Sequence, residues 1–309
     1  MTYRKTLLAS LAVAALALPA HAKGCDRVVF SDVGWTDITA TTAVTTAVLE
    51  GIGYKTQTRV LAVPVTFSAL SQDDVDVFLG AWMPTMEADF APYREAGTID
   101  MVRTNLTGAK YTLATNQAGA DLGIKSFADI ATHADDLDGK IYGIEPGNDG
   151  NRLIGDMIAQ DAFGMGDLDM IESSEQGMLA QVARADKRDA PIVFLGWEPH
   201  PMNANFDLTY LEGGDDWFGP DFGGAEVQTL TRHDYVQSCP NVGKFLQNLE
   251  FTLDMENQVM GAILDDGERP EKAATNWLKA NADTVRPWLD GVTAKDGGDA
   301  FTALSASLD

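Results

Sequence analysis

The sequence contains few residues of the kinds that most enzymes and metal sites use. Its 309 residues include two cysteines and four histidines, and the histidines are too widely scattered for a catalytic triad or a zinc site. The sequence contains no G-x-S-x-G, no H-E-x-x-H, no Walker loop and no G-x-G-x-x-G after a predicted strand. We therefore expect a protein that is not an enzyme and that holds neither a metal ion nor a cofactor.

Basic residues are also scarce. There are 22 lysines and arginines against 46 aspartates and glutamates, which gives a formal net charge of −24. An acidic surface repels nucleic acid and anionic membranes, and it attracts cations through long-range electrostatic steering. We expect neither nucleic acid nor a membrane surface as a partner. The alternative, that the acidity serves solubility alone, stays open.

Long hydrophobic runs are missing beyond the N-terminal segment, since no later stretch reaches about 18 apolar residues, the length of a membrane span. Residues 1–22 combine positive Arg4 and Lys5, an apolar run and an A-x-A site that ends at Ala22. This pattern is typical of a secretory signal peptide. We predict cleavage after Ala22 and a periplasmic mature protein, whose net charge becomes −26 when the two basic residues are lost (−24 − 2).

The two cysteines, Cys25 and Cys239, can form one intramolecular pair. Two thiols in an exported protein are more often paired than free, so we predict a disulfide bond between them. Such a bond would join the start of the mature chain to a segment near its end and contribute about 2–4 kcal/mol. No C-x-x-C motif is present, which indicates a structural rather than a redox role.

Alternating strand and helix patterns predict an α/β fold with two lobes. The predicted strands are 27–31, 58–63, 75–80, 108–116, 140–144, 191–196 and 207–211, and the predicted helices are 39–50, 126–130, 152–163, 176–185 and most of the chain from 242 onward. The chain is predicted to leave the first lobe and return to it. Residues 23–107 and 208–309 would form lobe 1, and residues 108–207 would form lobe 2, inserted into it.

One pattern occurs twice, as FLGAWMP at 78–84 and FLGWEP at 194–199. Each copy predicts a buried strand that ends at the glycine, followed by a loop that carries a tryptophan and a proline that stops further pairing. Loops at the carboxyl ends of strands bind ligands in open α/β sheets. We therefore expect Trp82 and Trp197 to face a ligand between the lobes. The alternative is that both are core tryptophans.

Other aromatic residues border the same expected cleft. Trp35 and Tyr111 fall in loops or at strand ends, whereas Trp277 and Trp288 lie among helical residues and are predicted to belong to the core. Several electron-rich rings around one cavity suit a quaternary ammonium ion, which has no N–H group and is held by cation–π attraction. Each ring contributes about 0.5–2 kcal/mol when the contact is desolvated.

Several segments resemble the glycine betaine/choline substrate-binding proteins of ABC importers. They are GWTD at 34–37, PVTFSAL at 64–70, DVDV at 74–77, NWLKAN at 276–281, RPWL at 286–289 and the two FLG stretches. The resemblance covers nearly the whole mature chain and is strongest to the periplasmic choline-binding branch. It implies a two-lobe periplasmic binding protein of type II-like fold, which closes on a ligand in the cleft between its lobes.

The resemblance also implies a set of ligand-binding residues. They are four aromatic residues, an acid and an amide: Trp35, Trp82, Tyr111, Trp197, Asp37 and Asn148. Three of them have an ordinary alternative. Asp37 precedes a predicted helix and can cap it, Asn148 can be a turn residue, and Tyr111 can be a plain strand aromatic.

The charge near the aromatic residues favours one ligand. Asp37 and Glu198 are acidic, and Lys110 is the one basic neighbour in the chain. An acid beside the rings favours a net cation with a hydroxyl donor, which describes choline. We expect a monomer that captures choline and delivers it to an ABC permease in the inner membrane. The alternatives are a glycine betaine binder, a periplasmic enzyme acting on choline-like compounds, and a receptor-coupled sensor.

Overall fold

The computed structural model of the protein describes residues 24–309. The predicted signal peptide, residues 1–22, lies outside the described residues. The predicted α/β class is confirmed, because helices and strands alternate along much of the described chain and the strands form one nine-stranded sheet. Within residues 24–309, no helix combines the length and the apolar character that crossing a membrane requires.

The strands form a single sheet with the order β2-β1-β3-β9-β4-β7-β5-β6, and β8 pairs with β4 beside this path. The strands are β1 Arg27–Asp32, β2 Lys55–Val60, β3 Val77–Met83, β4 Ile99–Asn116, β5 Lys140–Tyr142, β6 Asp169–Ile171, β7 Val193–Glu198, β8 Leu208–Tyr210 and β9 Gly224–Arg232. Parallel pairs occupy the two ends of the sheet, and the antiparallel pair of β9 and β4 lies between them.

Helices lie between these strands and follow the last of them. They are α1 Thr36–Gly51, α2 Val63–Ser71, α3 Glu87–Glu95, α4 Gln117–Leu122, α5 Phe127–Ile130, α6 Asp149–Ala159, α7 Glu175–Asp186, α8 Met202–Asn205, α9 Asp215–Phe218, α10 Pro220–Gly223, α11 Tyr235–Ser238, α12 Pro240–Asn248, α13 Leu253–Leu264, α14 Pro270–Asn281 and α15 Ala300–Leu308, with 3-10 turns at Ala131–His133, Ala162–Gly164 and Ala282–Leu289.

The long strand β4 links the two ends of the sheet. Its first part, from Ile99 to Lys110, pairs with β9, and its second part, from Lys110 to Thr115, pairs with β7. Three register shifts interrupt the pairing with β9, and such bulges bend a strand and increase its twist. The predicted passage between lobes at residue 108 falls inside this strand. The lobe boundaries themselves stay a prediction.

The carboxyl ends of β3 and β7 meet near the middle of β4 from opposite directions. Both β3 and β4 are antiparallel to β9, so β3 runs in the same direction as β4. Strand β7 is antiparallel to β4, and its last residue pairs with Lys110. The ends of the two FLG stretches are therefore brought together although more than 100 residues separate them in the chain.

The prediction that Trp82 and Trp197 lie in loops is wrong, because both belong to strands. Strand β3 continues to Met83 and β7 to Glu198, and each ends immediately before a proline that follows a cis peptide bond. The glycines do not end the strands but permit close packing. A Cβ atom at Gly80 would lie 2.6 Å from the Ile38 side chain, and one at Gly196 would lie 3.0 Å from the ring of Tyr210.

Other element boundaries also differ from the prediction. Helix α1 begins at Thr36 rather than at residue 39, and strand β2 ends at Val60 rather than at residue 63. The second difference arises because Pro64 lies in the first turn of α2, a position that suits its fixed φ and missing N–H. Strand β9 was not predicted, since its buried positions include Thr229 and Thr231 and give no apolar run.

The core positions predicted for two tryptophans are confirmed. Trp277 and Trp288 are both buried, and each indole N–H has a hydrogen-bond acceptor. Trp277 Nε1 donates to Gln258 Oε1 at 2.9 Å, and Trp288 Nε1 donates to the carbonyl of Glu250 at 3.0 Å. A buried indole satisfied in this way stabilises the packing of helices and leaves no polar group for a ligand.

The predicted disulfide bond between Cys25 and Cys239 is present. It joins the residues just before β1 to the start of α12, with a Cα–Cα distance of 5.4 Å and a sequence separation of 214. A bond across so long a segment restricts the unfolded chain strongly and stabilises the fold by about 2–4 kcal/mol.

We expect thiol counting on denatured, unreduced protein to find no free thiol. Reduction should lower the melting temperature by roughly 5–10 °C in differential scanning calorimetry, because the unfolded chain gains conformational entropy. As a control, the double variant Cys25→Ser/Cys239→Ser should melt at the lower temperature and show no response to reductant. Two free thiols in protein exported to the periplasm would contradict this expectation.

Candidate functional site

A small cavity lies where the carboxyl ends of β3 and β7 meet, with about 250 Å³ of empty space between its walls. All six residues that the sequence analysis selected for the ligand line this cavity. Two further residues line it as well, Ile144 and Asp149. The structure thus brings together a set of side chains that spans residues 35–197 of the chain.

Each side chain reaches the cavity from the end of an element or from β4. Trp35 precedes α1, Asp37 lies in the first turn of α1, Trp82 and Trp197 lie near the ends of β3 and β7, Tyr111 lies in the middle of β4, and Asn148 precedes α6. The opposed direction of β3 and β7 is what lets one cavity receive residues from both ends of the sheet.

Three of the rings line the cavity, and the ring of Tyr111 packs against the rings of Trp82 and Trp197. The ring centres of Trp82 and Tyr111 are 5.9 Å apart, and those of Tyr111 and Trp197 are 6.3 Å apart with an interplanar angle of 80°. All three side chains are at least 95% buried. Such desolvated rings present electron-rich faces, which attract cations more strongly than exposed rings do.

Hydrogen bonds fix the orientation of two aromatic side chains. Tyr111 Oη donates to Asn148 Oδ1 at 3.0 Å, and Trp35 Nε1 donates to Glu145 Oε1 at 2.8 Å. Burial, assisted by the charge of Asp149, raises the pKa of Tyr111 well above its ordinary value, so the phenol stays neutral. Burial also raises the pKa of Glu145 to about 7.

Asp37 is a buried carboxyl group that is only partly satisfied. Its Oδ2 accepts a hydrogen bond from Trp82 Nε1 at 3.1 Å, whereas Oδ1 accepts none from the described part of the chain. Burial, followed by repulsion from Glu175, raises the pKa of Asp37 to about 8. The capping alternative is wrong, because Trp35 occupies the N-cap position and Asp37 lies within the first turn of α1.

Asn148 and Asp149 form the start of α6 and also line the cavity. Asn148 Oδ1 caps α6 by accepting from the backbone N–H of Asn151 at 3.0 Å, and Asn148 also lines the cavity, so its structural role is that of a helix cap. Asp149 was not selected from the sequence. Burial raises its pKa to about 6, and its Oδ2 has no hydrogen-bond partner among the described residues.

The cavity wall is acidic. Asp37 and Asp149 contribute two carboxyl groups, and none of the described residues that line the cavity is basic. Lys110 turns elsewhere, with its Nζ 3.9 Å from Glu198 Oε2 and 4.8 Å from the ring centre of Tyr210. A cation inside the cavity would meet complementary charge, and an anionic group would meet none.

One group of side chains in the described chain has the composition of a metal site, namely Asp100, His233 and Asp234. Its two histidine nitrogens face different carboxylates, since Nδ1 lies 3.1 Å from Asp100 and Nε2 lies 3.3 Å from Asp234. The hydrogen bond that the His233 ring donates to the Asp100 carboxylate raises the pKa of His233. This arrangement suits a protonated imidazole between two acids, and none of its members lines the aromatic cavity.

Comparisons with known proteins agree with the fold. The family profile for the substrate-binding domain of ABC-type glycine betaine transport systems (OpuAC) matches residues 26–280. Lactococcal OpuAC in its closed-liganded conformation with glycine betaine is 25% identical in sequence, with a TM-score of 0.77 over 85% of this chain and 99% of its own.

Two solved structures of ABC-transporter choline binding proteins are more similar still. One is in complex with choline and has a TM-score of 0.91, and the other is in an unliganded semi-closed conformation and has a TM-score of 0.85. Each is 65% identical to this chain and covers 92% of it and 99% of its own length. These matches are to transport binding proteins and confirm the predicted two-lobe fold. The chain belongs to the family of substrate-binding domains of ABC-type glycine betaine transport systems.

Proposed function

We propose that this protein binds choline in the periplasm and delivers it to an ABC permease in the inner membrane. The observation that carries the proposal is the aromatic cavity, whose wall includes two carboxyl groups and no basic side chain among the described residues. The similarity to a binding protein solved with choline supports the same ligand. In this function the six residues chosen from the sequence are the ligand-binding residues, and residues 108–207 move as one lobe.

Choline fits the chemistry of the cavity. The trimethylammonium group would contact the faces of Trp35, Trp82 and Trp197. The hydroxyl group would donate to a carboxyl oxygen that has no partner among the described residues, such as Asp37 Oδ1.

Glycine betaine fits the same rings but not the same charges. Its carboxylate would lie near Asp37 or Asp149, and the described cavity wall offers no lysine or arginine to receive it. Betaine is therefore the second candidate, supported by the structure of lactococcal OpuAC with that ligand. A periplasmic enzyme is a weaker alternative, since the similar proteins are binding proteins. We propose a monomeric, non-catalytic protein.

A titration of purified protein with choline and with glycine betaine tests the proposal. Choline has seven non-hydrogen atoms, and a ceiling of about −1.5 kcal/mol per atom gives roughly −10 kcal/mol, or tens of nanomolar. Because closing the lobes consumes part of this free energy, we expect a choline Kd in the micromolar range or somewhat lower, with weaker betaine binding. Calorimetry and intrinsic tryptophan fluorescence would measure both affinities.

Recovery of the ligand distinguishes a binder from an enzyme. Labelled choline released from denatured complex should be chemically intact, whereas turnover would support the enzymatic alternative. The proposal would be overturned if millimolar choline produced neither heat nor a change in fluorescence.

The variant Asp37→Asn should bind choline about ten- to a hundredfold more weakly, because it removes a charge-assisted contact to the ligand. Asparagine keeps the shape and can still accept from Trp82 Nε1. Betaine affinity should fall less or rise, since a repulsive carboxylate is lost. The surface variant Asp254→Asn, in the first turn of α13, is the matched control and should bind both ligands normally. Unchanged choline affinity in Asp37→Asn would contradict the assigned role.

Choline affinity should rise with pH up to about 8. The pKa of Asp37 is raised to about 8 without ligand, so the group is largely protonated at neutral pH. A bound cation favours the ionised carboxylate and lowers this pKa, so binding releases a proton. Choline affinity should therefore increase by as much as about tenfold for each unit by which the pH is raised towards 8. Above that pH the affinity should level off.

Calorimetric titrations between about pH 6 and pH 9, in buffers of different ionisation enthalpy, would measure the affinity and the protons released. Asp37→Asn is the control and should show a shallower dependence, with the remainder due to Glu145 and Asp149, whose pKa values are raised to about 7 and about 6. An affinity that falls as pH rises would contradict the assignment.

A further inference from the structure

We propose that Glu175 is a positioning residue that reaches across the ligand cleft, holds the first turn of α1, and thereby places Trp35 and Asp37 against the ligand in the closed protein. This inference rests on the proposed function and deepens it. Glu175 begins α7, within the predicted lobe 2, whereas α1 belongs to the predicted lobe 1. Glu175 itself does not line the cavity.

The contacts of Glu175 on α1 are those of a helix cap supplied from elsewhere in the chain. Its Oε2 accepts from the backbone N–H of Thr36 at 2.8 Å, and its Oε1 accepts from the hydroxyl of Thr36. Thr36 is the first residue of α1, so its N–H has no partner within the helix. The N-cap position is occupied by Trp35, which has no side-chain acceptor. Glu175 therefore satisfies a group that the helix cannot satisfy itself.

A histidine holds the carboxylate from its own side of the cleft. His200 Nδ1 accepts from the backbone N–H of Met202 at 3.0 Å, so the ring hydrogen is on Nε2, which lies 3.2 Å from Glu175 Oε1 and donates to it. The ring of His200 also packs edge-on against Trp197, with a centre-to-centre distance of 4.9 Å. Glu175 thus keeps one hydrogen bond when Thr36 is withdrawn, and its orientation is set before the cleft closes.

The position of Thr36 makes these contacts relevant to the ligand. Thr36 lies between Trp35 and Asp37 in the chain, so fixing its backbone fixes the start of both side chains. The path from Trp197 through His200 and Glu175 consequently connects one wall of the cavity to the opposite wall. A small displacement of a ligand-contacting group is enough to weaken binding.

The Glu175 contact is more deeply buried than the contact that Arg152 makes between the two predicted lobes. Arg152 Nη2 donates to the carbonyl of Thr85 at 2.9 Å and to Asp89 Oδ2 at 3.0 Å, but the side chains of Arg152 and Asp89 are 33% and 23% exposed. Glu175 is only 1% exposed. Hydrogen bonds to an ionised group are stronger when water is excluded, so we expect the Glu175 contact to favour the closed arrangement more than the Arg152 contact does.

A second physical effect of Glu175 must be separated from positioning. Its negative charge is one cause of the raised pKa of Asp37, which shows that the two carboxyl groups interact through space. Removing that charge would alter attraction for a cation even if Thr36 did not move. Variants at Thr36 separate the two effects, because they change no charge.

The test measures choline binding by Glu175→Gln, Thr36→Val and the double variant. If Glu175 acts through Thr36, each single variant should raise the Kd about five- to fiftyfold, mainly through faster dissociation. The double variant should lose little more than the single variant that binds choline more weakly, because both substitutions act on the same pair of hydrogen bonds between Glu175 and Thr36. Thr36→Ser keeps the hydroxyl group, so this variant should bind choline with nearly normal affinity and release it at a nearly normal rate.

Further measurements decide between the outcomes. The melting temperature of ligand-free protein should change little in all variants, and the matched control Glu271→Gln, an exposed acid in the first turn of α14, should bind normally. Strictly multiplicative losses in the double variant would mean that Glu175 acts only through its charge, and would overturn the positioning role. Normal choline binding by Glu175→Gln would also overturn it, whereas failure of the unmodified protein to bind choline would overturn the proposed function as well.

Discussion

Burial of carboxyl groups beside aromatic rings is the constraint on which the site depends. Burying an ionised carboxylate away from water costs free energy unless a positive charge or hydrogen bonds compensate for the lost solvation. Asp37 and Asp149 have neither a basic partner among the described cavity residues nor a complete set of hydrogen bonds. Their raised pKa values express this cost. A cation that arrives in the cavity relieves it, so charge and shape select the same kind of ligand.

The sheet makes that arrangement attainable. The rings of Trp82 and Trp197 can line one cavity because β3 and β7 approach the middle of β4 from opposite directions. Helix α1 adds its first turn from one side, and α6 adds its capped start from the other. Apart from Tyr111 in β4, the six residues selected from the sequence therefore lie at or near the ends of helices and strands, and the paired strands hold these ends in place.

The sequence was informative where a residue type has one physical use. Two FLG stretches marked two strands, although Trp82 and Trp197 lie within these strands and not in the predicted loops, and two cysteines had one pairing. It was uninformative where burial decides the role. The buried positions of strand β9 include threonines and form no apolar run. Nothing in the local sequence distinguishes the buried acids Asp149 and Glu175 from exposed acids. Glu175 acquires its role from Thr36, which is 139 positions away, and Asp149 acts on Tyr111, which lies on a different strand.

The disulfide bond also changes the topology of the molecule. Cys25 and Cys239 both lie in the segments assigned to lobe 1, so the bond does not tie one side of the cleft to the other. It instead makes a closed covalent ring that contains the whole of the inserted segment. One cut of the backbone anywhere between the two cysteines would leave a single covalent molecule, and the cut ends would stay at high effective concentration. A protease nick in an exposed loop of that ring therefore does not separate the residues that form the cavity.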